Sequence, residues 1–312
     1  MEENLPERHP VFAGVEMGTG TWAWGDKLFW GYGKGYSEDD LAAVFDACIS
    51  SDLNLFDTAE VYGQGISESL IGKFIKKTQK PVRVATKFMP YPWRFWRGSL
   101  LSALKGSLKR LGLERVDLYQ IHQALPPVSV DTWMDAMSEA YQKGLIGAVG
   151  VSNYDQMMML RAFVCLAREG IPLASNQVEY SLINRKVEKN GLLKLCQERG
   201  ITLIAYSPLG MGLLSGKYTV ENPMKGLRGG RFGRDYMRKL QPMLQVMRNI
   251  GGEHENRSPA QVALNWVICK GALPIPGAKT TSQAEQNAGA LGWRLSEDEM
   301  AKLDEASDRI NY

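Results

Sequence analysis

A chain of 312 residues has room for two average domains, but a parallel barrel with its covering helices takes about 250 residues or more as one unit, so a single domain is sufficient. Its 44% hydrophobic and 23% charged content excludes an extensively disordered chain and supplies a large core. The 37 basic and 34 acidic residues nearly balance, which excludes a nucleic-acid footprint; the one basic cluster, between Arg228 and Lys239, suits a solvated loop or one small anion.

In chain order, residues 1–10 are polar and lack the charged-then-apolar layout of a secretory leader. No apolar run approaches the roughly 18 to 20 residues that cross a bilayer. Cys48, Cys165, Cys196 and Cys269 lie far apart without a C-x-x-C pair, which fits buried thiols in a reducing compartment. These features predict a soluble cytoplasmic protein, or a plastid one if a transit peptide has been removed.

Short β-rich apolar runs alternate with longer amphipathic stretches and predict strands at residues 16–21, 54–58, 82–87, 116–122, 146–151, 174–179, 202–206 and 273–276. Helix starts stand between them, as at Ser37 before Glu38-Asp39-Asp40 and at Ser258-Pro259. Eight parallel strands at even spacing favour a single α/β domain, a closed (β/α)8 TIM barrel spanning residues 1–312, over a doubly wound open sheet. Two long segments, 22–36 and about 208–235, follow the first and seventh strands, predicting extra helices and long loops at the C-terminal face where a barrel builds its site.

Gly18-Thr-Gly20-Thr-Trp-Ala23 fits the loosened dinucleotide pattern G-x-G-x-x-G/A, but Trp24-Gly25-Asp26-Lys27 cannot continue it into a phosphate-binding helix. More telling are polar residues at the ends of apolar strands. Asp57 ends Asn54-Leu-Phe-Asp57-Thr58, Lys87 ends 82–87, His122 ends 116–122, and Tyr62 lies just past the second strand. In a barrel these ends share one mouth. A tyrosine is a poor acid near neutrality unless a cation stabilises its phenolate. Lys87 supplies that cation, Asp57 orients it, and His122 polarises a carbonyl or shares the proton, without a metal.

This set resembles the aldo-keto reductase family, most closely its plant and cyanobacterial members. Asp57-Thr-Ala-Glu-Val-Tyr62-Gly is similar to the family's D-T-A-x-x-Y-G segment, Thr86-Lys87 to its strand-end lysine, and Gln120-Ile-His122 to its strand-end histidine. The resemblance covers nearly the whole chain. It implies NADPH-dependent reduction of an aldehyde or ketone, with Tyr62 as general acid, Lys87 and Asp57 tuning it, and His122 orienting the substrate oxygen.

The resemblance further implies an NADP(H) site. Ser152, Asn153 and Gln177 would hold the nicotinamide amide, Tyr206 would stack on its ring, and Asp57 would touch it. Gly20, Thr21 and Trp22 would line the cleft. Ser207, Pro208, Leu209, Gly210 and Lys217 would meet the pyrophosphate. Gly277, Lys279, Gln283, Gln286 and Asn287 would hold the adenosine phosphate, with Lys279 on the 2′-phosphate and a lysine where many relatives carry arginine.

Trp24, Trp93 and Trp96 are predicted to wall a substrate pocket for an apolar or aromatic carbonyl compound. No nucleic-acid, membrane or metal partner is expected, and the chain reads as a monomer or weak homo-oligomer. Two other readings stand beside the reductase: an NADP-binding channel β-subunit with no catalysis, and an aldolase using Lys87 as a Schiff-base amine.

Overall fold

The computed structural model describes residues 6–224 and 232–310. Arg228 of the basic cluster, with a stretch of the long segment after the seventh strand, lies outside the described residues. Eight parallel strands follow one another in sequence order: β1 (Thr19–Gly20), β2 (Leu55–Asp57), β3 (Arg83–Phe88), β4 (Leu118–Ile121), β5 (Val149–Ser152), β6 (Leu173–Glu179), β7 (Thr202–Tyr206) and β8 (Leu273–Pro274). Gly18 N–H donates to Pro274 O and Gly20 N–H to Pro276 O, both at 3.0 Å, and Gly20 bridges Gly277, so the ladder passes from the last strand back to the first.

The predicted first and last strands shrink to two residues each. Prolines 274 and 276 accept from the first strand but have no N–H to return, which thins the pairing that defines β8. Gly20 is needed there for a different reason: a Cβ on it would stand 2.8 Å from Ile275 O.

Helices α1 (Glu38–Ser50), α2 (Ile66–Ile75), α3 (Arg97–Leu111), α4 (Val130–Gln142) and α5 (Gln156–Ala167) alternate with the strands. They are followed by α6 (Lys186–Lys189), α7 (Leu192–Glu198), α8 (Arg234–Glu253), α9 (Pro259–Cys269), α10 (Thr281–Ala288) and α11 (Glu297–Asp308). The starts at Ser37 and Ser258 are capping boxes, with Asp40 and Gln261 reaching back to the cap. The long segment after β7 opens with a 3-10 turn, Gly210–Ser215, and leads into α8, which packs on α9 and α11.

Strand alternation separates two apolar layers. Phe56, Val84, Tyr119, Ile121, Val149 and Val151 face the helices. Leu55, Ala85, Leu118, Ala148, Ala174, Ile204 and Leu273 face inward and, with Phe12 and Val15 from the N-terminal segment, form the barrel floor. Two residues further along the same faces stand Asp57, Lys87 and Gln120, all buried. Period two therefore turns an apolar floor into a polar mouth. In β6 the register against β5 shifts between Val149 and Gly150, which lets Ala174 join the floor while Gln177, of opposite parity, also reaches the interior.

A second polar layer braces the strands from outside, through adjacent buried residues of α2. Ser67 Oγ contacts Thr21 Oγ1 at 2.8 Å and accepts from Thr58 Oγ1 at 2.8 Å. Glu68, fully buried, accepts from Thr86 Oγ1 at 2.6 Å and from Arg110 Nε at 2.6 Å. Thr58 and Thr86 are the neighbours of Asp57 and Lys87.

Replacing Arg110 with Met is expected to cost about 3 kcal/mol, the low end for stranding a buried charge, because the Arg110 side chain is 32% exposed. Thermal unfolding should show it, and Glu68→Gln added to Arg110→Met should cost less than Arg110→Met alone. Gly72→Ala is expected to lose about 1–3 kcal/mol, since its Cβ would lie 2.4 Å from Leu111 O on α3; an unchanged Tm would contradict that packing.

Candidate active site

Lys87 is buried and reaches across the mouth. Its Nζ donates to Asp57 Oδ1 at 2.5 Å, to Thr58 O at 2.8 Å and to Tyr62 Oη at 3.4 Å. The remaining Asp57 oxygen accepts from Gln177 Nε2 at 2.7 Å and from Gln120 Nε2 at 3.2 Å. Each charge is thus paired and hydrogen-bonded, as a buried ion pair requires.

Tyr62 enters from the 3-10 turn Tyr62–Gly65, where Gly63 and Gln64 adopt φ of 55° and 57° before α2 begins. The turn sets the tyrosine ring edge-on to His122, with ring centres 5.8 Å apart. His122 follows β4, its N–H bonded to Phe88 O at 2.8 Å. The four predicted catalytic residues therefore converge at one mouth.

Burial raises the Tyr62 phenol above its usual range, opposed by the adjacent Lys87 charge. For Lys87 burial acts to lower the pKa, but the charges and hydrogen bonds of Asp57 and Tyr62 outweigh it and the amine is held charged. A Schiff-base nucleophile needs the opposite, a neutral amine. His122 is pushed down to about 3 by burial first and by the Lys87 charge second, so it is neutral across the physiological range. Its Nδ1 is buried and has no partner among the described residues.

Beside this group lies a carboxamide and hydroxyl set. Ser152 Oγ donates to Gln177 O at 2.9 Å, and Asn153 Nδ2 donates to His122 O at 3.1 Å and to Ser152 Oγ at 3.0 Å. Tyr206 Oη donates to Asn153 Oδ1 at 3.0 Å, and burial raises its phenol to about 12. Ser207, with a positive φ of 50°, turns the chain into Pro208, Leu209 and Gly210. Lys217 is exposed, its Nζ 4.9 Å from the Tyr218 ring centre.

Past β8, Gln283 accepts from Lys279 N–H at 2.8 Å and Asn287 Nδ2 donates to Gly277 O at 3.4 Å, while Gln286 is exposed. The Lys279 ammonium lies over Trp30 and Tyr36, 5.4 and 5.1 Å from their ring centres, so the loop after β1 touches the segment after β8.

Some expectations change. Trp24 is fully buried, packed on Phe56 and Phe74, and its Nε1 donates to Ala278 O at 3.0 Å; it anchors the loop and cannot wall a substrate pocket. The Thr21 hydroxyl is committed to Asp57 O and Ser67, its backbone N–H donates to Asp57 O, and its carbonyl accepts from Trp24 N–H, so Thr21 braces the strand end. Trp22 is 38% exposed and stacked on Phe29. Trp93 is exposed and stacked on Tyr91, and Trp96 is exposed beside Phe95. Gln120 carries no role in the expectations drawn from the sequence, although its position two residues before His122 on one strand face is the available signal.

Residues 16–308 match the Aldo/keto reductase family. The chain is 41% identical over 304 residues to the chloroplastic pyridoxal reductase of Arabidopsis thaliana, covering 93% of this chain and 82% of that protein. It is 36% identical over 294 residues to an uncharacterized oxidoreductase of Mycobacterium tuberculosis, with 93% and 88% covered. Among solved structures, the aldo/keto reductase of Klebsiella pneumoniae in complex with NADP and acetate gives a TM-score of 0.71 at 30% identity, over 93% of this chain and 90% of that one. The glycerol dehydrogenase from Gluconobacter oxydans gives 0.84 at 26% identity, over 95% and 93%. An eight-stranded parallel sheet in sequence order, a lysine–carboxylate–tyrosine contact at its mouth and a family match over nearly the whole length agree: the chain belongs to the aldo/keto reductase family.

Proposed function

We propose that the chain, as one barrel domain, reduces an aldehyde or ketone reversibly with NADPH. The observation that carries this reading is the continuous contact from Asp57 through Lys87 to Tyr62, with a neutral His122 beside the tyrosine. When bound, the nicotinamide supplies the hydride. Tyr62 Oη gives its proton to the carbonyl oxygen as negative charge develops there. Although the phenol is raised, transfer remains favourable, because an alkoxide is far more basic than a phenolate. Lys87 stabilises the phenolate left behind, Asp57 keeps Lys87 aimed, and neutral His122 offers an N–H to the substrate oxygen without competing for the proton.

The side chains fit the cofactor. Ser152, Asn153 and Gln177 offer amide and hydroxyl groups matching a nicotinamide carboxamide, and the half-buried Tyr206 offers a flat ring. Lys217 and Lys279 offer cations after β7 and β8 for phosphates, and Gly277 leaves its backbone open to close approach. The chloroplastic pyridoxal reductase among the relatives makes pyridoxal the first aromatic aldehyde to assay and supports a plastid as one location. Among the described residues no helix is long and apolar enough to cross a membrane.

Tyr62→Phe is expected to lower kcat by about 10²–10⁴ while tryptophan quenching by NADPH is retained. Loss of nucleotide binding in wild type would remove the cofactor assignment, and binding without wild-type turnover would favour a non-catalytic NADP subunit. With His122 already neutral and Tyr62 raised, kcat/KM for reduction should be level between about pH 5 and pH 8 and fall only on the alkaline side. An inflection near the ordinary histidine value would contradict a neutral His122. Lys279→Ala should weaken NADPH binding by about tenfold and leave NADH binding unaltered, read from the two dissociation constants.

A further inference from the structure

Glu60 stands between Asp57 and Tyr62 in the chain, but its side chain turns to the loop that joins β3 to α3. Both carboxylate oxygens are held by Arg94: Nη1 contacts Oε1, and Nη2 donates to Oε2 at 3.1 Å. The same Oε1 accepts from Met89 N–H at 2.8 Å, and Arg94 Nη1 donates to Met89 O at 2.9 Å. The guanidinium lies 5.0 and 5.4 Å from the ring centres of Phe88 and Tyr91. The pair is well sheltered, with side-chain exposures of 22% and 9%, so solvent screens it less than a surface bridge.

The rest of this loop is held weakly by packing. Trp93, Phe95 and Trp96 are 64%, 62% and 54% exposed, an unusual density of large rings on a surface. Between the loop and α3 opens a cleft of about 420 Å³ lined by Glu60, Arg94, Trp96, Ser99 and Arg110, so apolar contact with the helix does not fix the height of the loop. What fixes it is a bidentate fork, whose geometry an arginine sets in a way a flexible ammonium does not.

We propose that Arg94 is a positioning residue for substrate choice. By clamping residues 89–96 onto the turn that carries Tyr62, it holds the exposed rings as one wall at a fixed distance from the proton donor and favours flat aromatic aldehydes over small aliphatic ones. The proposal rests on the reductase reading and adds the residue that sets the choice between aromatic and aliphatic substrates.

The test uses Arg94→Met, which keeps an apolar side chain of similar reach and removes the fork, and Arg94→Lys, which keeps the charge. With NADPH, KM and kcat are measured for 4-nitrobenzaldehyde and for propanal. The expected result is a rise of roughly tenfold in the ratio of the two KM values in Arg94→Met, the size of one lost charge-assisted contact, with partial recovery in Arg94→Lys. Equal changes for both aldehydes, or none, would overturn it. Hydrogen exchange of residues 89–96, followed in the same proteins without substrate, should accelerate in Arg94→Met; unchanged exchange overturns the clamp whatever the turnover. A wild type that reduces neither aldehyde, yet shows accelerated exchange in the variant, sinks the reductase reading and keeps the clamp.

Discussion

The ion pair between Lys87 and Asp57 is the constraint around which the mouth of the barrel is built. Both groups are almost wholly withdrawn from water, and an uncompensated ion at that depth would cost several kcal/mol. Compensation comes from every side: Thr58 O and Tyr62 Oη for the ammonium, Gln177 and Gln120 for the carboxylate. These partners come from β4, β6 and the segment that follows β2, so the pair can exist only if several strands arrive in register. The chemistry and the closed sheet are therefore not separable.

The same charge divides labour among its neighbours. Lys87 lies close enough to Tyr62 to stabilise a phenolate and close enough to His122 to keep the imidazole uncharged. In the proposed reaction, one ammonium thus favours one ring as the acid and adds to the burial that keeps the other neutral. Burial acts on both in the direction of neutrality, so under the proposed reaction the phenol keeps its proton until a strong base forms beside it.

Most of this was legible in the sequence because strand ends are marked by sharp transitions. Asp57, Lys87 and His122 each end an apolar run, and period two sends them inward whatever the precise strand limits. The fold followed from eight such runs in regular alternation with helices. What escaped was set by contacts distant in sequence. Trp24 was expected at the mouth because it lies in a loop, yet its indole finds Ala278 and two phenylalanines and becomes core. The shift in β6 that admits both Ala174 and Gln177 to the interior leaves no local signature, and neither does the floor made by Phe12 and Val15, which lie beside a segment that reads as merely polar.

The line along which β8 meets β1 differs from the other junctions because Pro274 and Pro276 receive hydrogen bonds there and have none to give. With hydrogen bonds donated from one side only, that junction is less densely bonded than a ladder in which both strands donate. The loop after β1 and the Lys279 segment meet at the mouth end of that line, held by a cation over two rings and by the Trp24 indole bonded to Ala278 O. A long anionic molecule settling between them would meet the Lys279 ammonium at that seam, with the Trp24 bond still tying the two segments beneath it.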